Sequence, residues 1–253
     1  MDRLQLDKNA KLTGRVYFKD EVMWLGLSGS GASFTFDGTK LVLKLKGDNI
    51  AVGDNPIDYA RIAVYVDGKR VVDEMINCAE KEVTVIDRTE NAQSVVEIIK
   101  LSESPMSAVG IEAFAEGSAE ALPEKPLKIE FIGDSITCGY GVDDEDENHQ
   151  FTTATEDVTK AYAYKTAKAL DAEYSMFSAS GYGIVSGYTE GDEPISEQTI
   201  PQFYCSYGFS RGDFAGTAPQ DIPWDFSKYI PQIIVINLGT NDDSYCRDYK
   251  DLS

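Results

Sequence analysis

Three short segments place residues suited to acyl-transfer chemistry at the ends of apolar runs. Gly133-Asp134-Ser135-Ile136-Thr137 follows Leu127-Lys128-Ile129-Glu130-Phe131-Ile132, and Ser180-Gly181-Tyr182-Gly183 follows the run 174–178. Gly239-Thr240-Asn241-Asp242 follows Ile233-Ile234-Val235-Ile236-Asn237-Leu238. A serine on a strand-to-helix turn exposes its hydroxyl as a nucleophile, and its own N–H lies near a helix N-terminus, where negative charge is favoured. Gly181 has no Cβ, so its N–H can approach a substrate closely. The Asn241 amide can donate a further hydrogen bond. Ser135 N–H, Gly181 N–H and the Asn241 side chain together suit an oxyanion hole, in which the loss of one donor costs about 3 kcal/mol of transition-state stabilisation. Each segment alone is also what an ordinary turn looks like. All three in this order, each after a predicted strand, is far more specific.

The elements that must hold these segments change character along the chain. From about residue 14 to 115 the pattern is all-β. Leu41, Leu43 and Leu45 share one face, as do Ile62, Val64 and Val66, and Asp67-Gly68 before Val71-Val72 is a two-residue hairpin signal. Residues 31–36 followed by Asp37-Gly38 read as another strand and turn. Val83 and Val85 alternate with polar neighbours, as do Val96 and Ile98, which predicts an antiparallel β-sandwich with one wet and one buried face per sheet. Residues 116–126, with two prolines, a glycine and few large apolar groups, read as a linker. From residue 127 strands alternate with helical patterns. Residues 161–171 predict a helix with Ala163, Ala167 and Leu170 on one face, and the apolar run 233–238 predicts a parallel strand covered on both sides. The expected organisation is a β-sandwich at 1–115, a linker at 116–126 and an α/β domain at 127–253, with ligands at the carboxyl ends of its strands.

Composition narrows the partners. With 43 acidic against 23 basic residues the formal net charge is −20, which disfavours nucleic acid and anionic membranes but not a neutral substrate. No apolar run reaches the roughly 20 residues of a membrane span, and no signal peptide is evident, so a cytoplasmic location is expected. Cys78, Cys138, Cys205 and Cys246 form no C-x-x-C pair and have no histidine cluster beside them, so free thiols and no zinc site are expected. Cys138, three residues after Ser135, is expected to be buried rather than nucleophilic. Asp242 and Asp243 invite a metal reading, but two adjacent carboxylates without further ligands are more often a solvated turn. No metal and no cofactor are expected. The acidic stretch 143–147 reads as a solvated loop, and Asp134 as a turn-stabilising acceptor.

The order of the three segments resembles the blocks of the SGNH (GDSL-type) hydrolases, and is closest to carbohydrate esterase family 2, the acetylxylan-esterase-like enzymes. Residues 132–141, Ile-Gly-Asp-Ser-Ile-Thr-Cys-Gly-Tyr-Gly, are similar to that family's first block, and 178–183, Ser-Ala-Ser-Gly-Tyr-Gly, to its second. Trp224-Asp225-Phe226-Ser227, Pro231 and residues 235–242 are similar to the third block and its approach. The resemblance implies a jelly-roll-like β-sandwich followed by a three-layer α/β fold, with Ser135 as nucleophile and Gly181 and Asn241 as oxyanion donors. It implies removal of O-acetyl groups from xylan- or mannan-type oligosaccharides through an acyl-enzyme. Tyr182 and Trp224 offer aromatic faces for a sugar ring, core packing being the alternative for Trp224.

One part of the resemblance is missing. The family's D-x-x-H-type segment is absent before Ser253, and the single histidine, His149, lies in an acidic loop between the first two blocks. A surface or cleft-lining role is expected for it. The expectation is an α/β domain that is incomplete and a chain that alone turns over little or no ester. The alternatives are a non-catalytic carbohydrate-binding protein, an inactive fragment lacking the catalytic histidine, or a lipid or thioester hydrolase, for which no apolar acyl channel is visible. The sugar, the acetyl position and the oligomeric state stay open.

Overall fold

The computed structural model describes residues 1–214 and 216–246. Nine strands form one antiparallel sheet: β1 (Asp2–Leu4), β2 (Lys11–Thr13), β3 (Val16–Lys19), β4 (Val22–Leu25), β5 (Gly31–Gly47), β6 (Ala60–Val66), β7 (Lys69–Ile76), β8 (Glu80–Lys100) and β9 (Val109–Ala121). The main path runs β3-β4-β9-β5-β8-β6-β7, with β1 against β9 and β2 against β5. A second sheet is parallel, in the order β11-β10-β12, from β10 (Lys128–Gly133), β11 (Glu173–Ser178) and β12 (Ile233–Asn237). The helices are short: α1 (Leu6–Asn9), α2 (Ser135–Cys138), α3 (Tyr162–Ala169), α4 (Ile200–Phe203) and α5 (Thr240–Cys246).

Asp67 and Gly68 turn the β6–β7 hairpin with φ of 51° and 77°, the left-handed pair that a two-residue hairpin needs. Asp37-Gly38, by contrast, is not a turn. β5 continues through it to Gly47, and the pairing with both β8 and β9 slips between Gly38 and Lys40. A Cβ on Gly38 would lie 2.3 Å from the Glu116 carbonyl oxygen, so glycine lets the neighbouring backbones approach at this irregularity. The slip changes the parity of the buried side. Phe34 and Phe36 enter the core before it, and Leu41, Leu43 and Leu45 after it, so both halves of one long strand face a single apolar core.

The expected linker begins too early. Residues 116–121 are the end of β9, paired with 34–40 of β5. Their Gly-Ser-Ala composition looks poor in burial, but its small side chains suit a strand laid beside Phe34 and Phe36. The two sheets also share a core: Ala63, Ile99 and Leu101 pack with Ile129, Phe131, Ala163, Ala167 and Met176. Arg61, paired with Asp73 of its own sheet, also bonds Asp143 across the same boundary, and Arg70 bonds Asp157. Asp143 is therefore an anchored ion-pair partner rather than part of a solvated loop.

The predicted helix forms over α3 and buries Ala163 and Ala167 as expected, whereas Leu170 is 53% exposed just past its end. β12 departs further from expectation. It pairs with β10 alone among the described residues, and Ile233, Ile234 and Ile236 are 43%, 53% and 64% exposed.

Candidate active site

The register of the parallel sheet brings the three chemical segments to one edge. Gly133, the last residue of β10, lies opposite Ser178 of β11 and Asn237 of β12. Neighbouring strands are about 4.8 Å apart, so the turns that follow leave from adjacent points. Ser135 opens α2 and is half-buried. Asp134 caps that turn: its carboxylate accepts the Ile136 N–H at 3.0 Å, the structural role expected of it. Burial pushes the Asp134 carboxyl above the usual carboxylate range.

Gly181 has φ of +80° with nothing within 4 Å of the position a Cβ would take, so its surroundings are open on that side. The turn around it is pinned from β12's end. Asn241, 5% exposed, donates its side-chain N–H to the Tyr182 carbonyl at 2.8 Å. Asp242 accepts the N–H groups of Ile184, Val185 and Ser186 at 2.7–3.1 Å. Partial burial acts to raise its pKa, but those donors outweigh it and hold the carboxyl below its ordinary value. Asp242 is thus the clasp of the glycine loop rather than a solvated turn.

The aromatic candidates lie in different surroundings. Tyr182 packs against Phe209 and Phe203, with ring centroids 4.9 and 6.1 Å away. Trp224 is covered by the Arg15 guanidinium at 5.2 Å and the Lys228 ammonium at 5.8 Å. Arg15 is fully buried and donates to the Tyr204 and Ser206 carbonyls. Trp224 is half-buried, and its described contacts are with that cluster and not with Ser135, Gly181 or Asn241. His149 has a 65% exposed side chain with Nδ1 2.9 Å from Asp144. It lines a depression with Tyr140, Glu147 and Phe151, and none of its described contacts is with Ser135.

A buried polar cluster behind the site is not anticipated by the motifs. Glu103, from the connection between β8 and β9, accepts the Ser180 N–H at 2.6 Å, and its own N–H donates to Glu156 at 3.1 Å. Cys138 Sγ lies 4.0 Å from the same Glu103 oxygen and 3.2 Å from Ser178 Oγ. Lys100 Nζ donates to the Ser102 and Glu103 carbonyls at 2.7 and 3.0 Å. Burial pushes both glutamates up, Glu156 furthest, and Glu103's charge pushes Glu156 the same way. Burial also pushes the Cys138 thiol well up, so it is a neutral thiol in the core rather than a nucleophile. Burial lowers Lys100 to about 8 against the pull of Glu156, Asp48 and Glu103. Glu103, Cys138 and Glu156 are the one set among the described residues whose ligand atoms lie close enough for a metal ion. Lys100 already supplies positive charge there.

Gly-Asp-Ser, Gly-Tyr-Gly and Gly-Thr-Asn-Asp turns thus share one carboxyl edge of a parallel sheet, the arrangement of the SGNH type. Residues 12–126 match the family model described as carbohydrate esterase 2 N-terminal. The chain is 33% identical over 220 residues to the cellulase/esterase CelE of Acetivibrio thermocellus, covering 86% of this chain and 24% of that protein. It is 29% identical over 245 residues to an acetylxylan esterase/glucomannan deacetylase of Cellvibrio japonicus, covering 94% of this chain and 62% of that one. The structure of a family two carbohydrate esterase from Clostridium thermocellum in complex with cellohexaose superposes with a TM-score of 0.75 at 28% identity, over 96% of this chain and 72% of that chain. The chain is similar to proteins of carbohydrate esterase family 2 over most of its length. It spans less than two thirds of the length of both curated relatives.

Proposed function

We propose that this chain is part of a serine esterase that removes O-acetyl groups from acetylated oligosaccharides of the xylan or mannan type. The observation that carries the reading is the shared edge of β10, β11 and β12, where Asn241 is bonded to the turn that contains Gly181. In this mechanism Ser135 Oγ attacks the acetyl carbonyl and the developing oxyanion is met by Ser135 N–H, Gly181 N–H and the second N–H of the Asn241 amide. Collapse expels the sugar oxygen, which takes up a proton, and leaves an acetyl-Ser135 ester that water hydrolyses to acetate. Ser135 needs a base to accept its proton, and His149, turned to Asp144, is not assigned that role. The parallel sheet is read as part of a three-layer α/β domain and the nine-stranded sheet as its jelly-roll-like companion. Relatives named as acetylxylan esterase and glucomannan deacetylase support the substrate class.

The test is acetate release from acetylated xylan and acetylated glucomannan by the full-length protein. Release is expected, and Ser135→Ala should lower it by about 1,000-fold or more. An unchanged rate in Ser135→Ala would remove Ser135 from the mechanism and with it this reading.

A further inference from the structure

We propose that Glu103 is a positioning residue for the esterase site: a carboxylate supplied by the connection between β8 and β9 that sets the turn bearing the Gly181 donor. The inference rests on the esterase reading of Ser135, Gly181 and Asn241. Glu103 is fully buried, and its backbone is held on both sides. Its carbonyl accepts from Lys100 Nζ, its N–H donates to Glu156, and the neighbouring Ser104 Oγ donates to the Phe209 carbonyl at 2.5 Å. From that fixed base one carboxylate oxygen accepts the Ser180 N–H at 2.6 Å, the short distance of a bond to a charged acceptor.

The Gly181 turn is therefore clamped at both ends, by Glu103 at Ser180 and by Asn241 at Tyr182. Gly181 between them has no Cβ contacts to hold its peptide. Tyr188 N–H donates to the Gly181 carbonyl at 2.8 Å on the far side of the residue, so the peptide that carries the Gly181 N–H is held from its Ser180 side by Glu103. The oxygen that holds Ser180 also lies 4.0 Å from Cys138, the last residue of the single helical turn that Ser135 opens. One buried carboxylate thus backs two of the three proposed donors. Its other oxygen, like one of Glu156, has no partner among the described residues. Burial raises the pKa of both carboxyls.

The experiment compares Glu103→Gln, Glu103→Met and Glu103→Asp in the full-length protein, with 4-nitrophenyl acetate as substrate and Ser135→Ala as the control. A glutamine oxygen still accepts the Ser180 N–H; methionine has the length but no acceptor; aspartate is one methylene too short. Glu103→Met and Glu103→Asp should lower kcat by about 10- to 100-fold with KM within about two-fold, as expected when a donor is displaced by a fraction of an ångström. Glu103→Gln should recover most of that loss. A folded Glu103→Met with wild-type kcat overturns the inference. Should that variant not fold, wild-type kcat in Glu103→Asp does so.

Loss of activity in Ser135→Ala beside unaffected Glu103 variants would sink this inference alone. A second readout is independent of turnover: the amide resonances of Ser180 and Gly181 in the 253-residue chain. Glu103→Met should move both upfield. If the wild-type protein releases no product, the esterase reading fails, and unmoved Ser180 and Gly181 amides would then overturn the Glu103 assignment separately.

Discussion

Asn241 and Asp242 are adjacent, and the structure gives them different work. Asn241 holds Tyr182 with one amide N–H and in the proposed mechanism offers the other to the oxyanion. Asn241→Ala removes a transition-state donor, so kcat should fall by about 100-fold with KM changed little, measured on the full-length protein with an acetylated substrate. An equal rise in KM without a fall in kcat would make Asn241 a ground-state binder instead. Asp242 carries the next three N–H groups of the same loop. Asp242→Ala leaves them without their acceptor, and hydrogen bonds to a charged group are worth about 1.5–3 kcal/mol. The variant should lose about 2 kcal/mol or more in urea unfolding; a loss under about 0.5 kcal/mol would mean that water replaces the carboxylate at no cost. The sequence carried Ser135, Gly181 and Asn241 because each sits at a fixed offset from an apolar run. It did not carry Glu103, Glu156 or Arg15. Nothing local distinguishes a buried charge from a surface one, since burial is decided by segments more than 50 residues away in chain order, as Glu103 and Glu156 show.

At the scale of elements, legibility followed periodicity and failed where two-dimensional pairing took over. The β6–β7 hairpin was readable because Asp67-Gly68 fixes its own turn. The same dipeptide at Asp37-Gly38 became a mid-strand irregularity because β8 and β9 pair on both sides of β5 and keep it extended. Residues 116–121 read as linker and folded as strand for the same reason: a partner strand supplied the order that composition did not. β12 is the reverse case. Its apolar run was read as a strand buried on both faces, yet Ile234 and Ile236 are exposed beside an edge that, among the described residues, pairs only with β10. An open edge with exposed β-branched residues is a template for pairing with another chain. The 253-residue chain should therefore self-associate with rising concentration in sedimentation velocity, and Ile236→Lys should shift it toward monomer. Monomer at all concentrations for the unaltered chain would show that the edge is protected.

At the scale of the whole molecule, acid groups of two kinds compete. Asp73, Asp143 and Asp242 have lowered pKa values: burial acts against them, but arginine and lysine partners or backbone N–H groups outweigh it. The stability they add is present above the unfolded carboxyl range near pH 4 and is lost as pH falls through their folded values. Asp48, Glu103, Asp134 and Glu156 are raised, each chiefly by burial. Between pH 4 and their folded values the folded chain holds protons that the unfolded chain has released. Their contribution is full below about pH 4 and is lost as pH rises through those raised values. Lys100, lowered to about 8 by burial, returns some stability only above that pH, where the folded chain gives up a proton that the unfolded chain keeps. The net charge of −20 adds self-repulsion that also grows with pH. The melting temperature should accordingly peak in mildly acidic solution, about pH 5, and decline toward pH 8. Glu156→Gln, neutral in both states, should flatten that decline, because a carboxyl that burial pushes well up no longer titrates. Thermal scans at pH 5, 6, 7 and 8 in constant salt test this. A melting temperature that climbs across the range would mean that the ion-paired aspartates, not the buried glutamates, set the pH dependence.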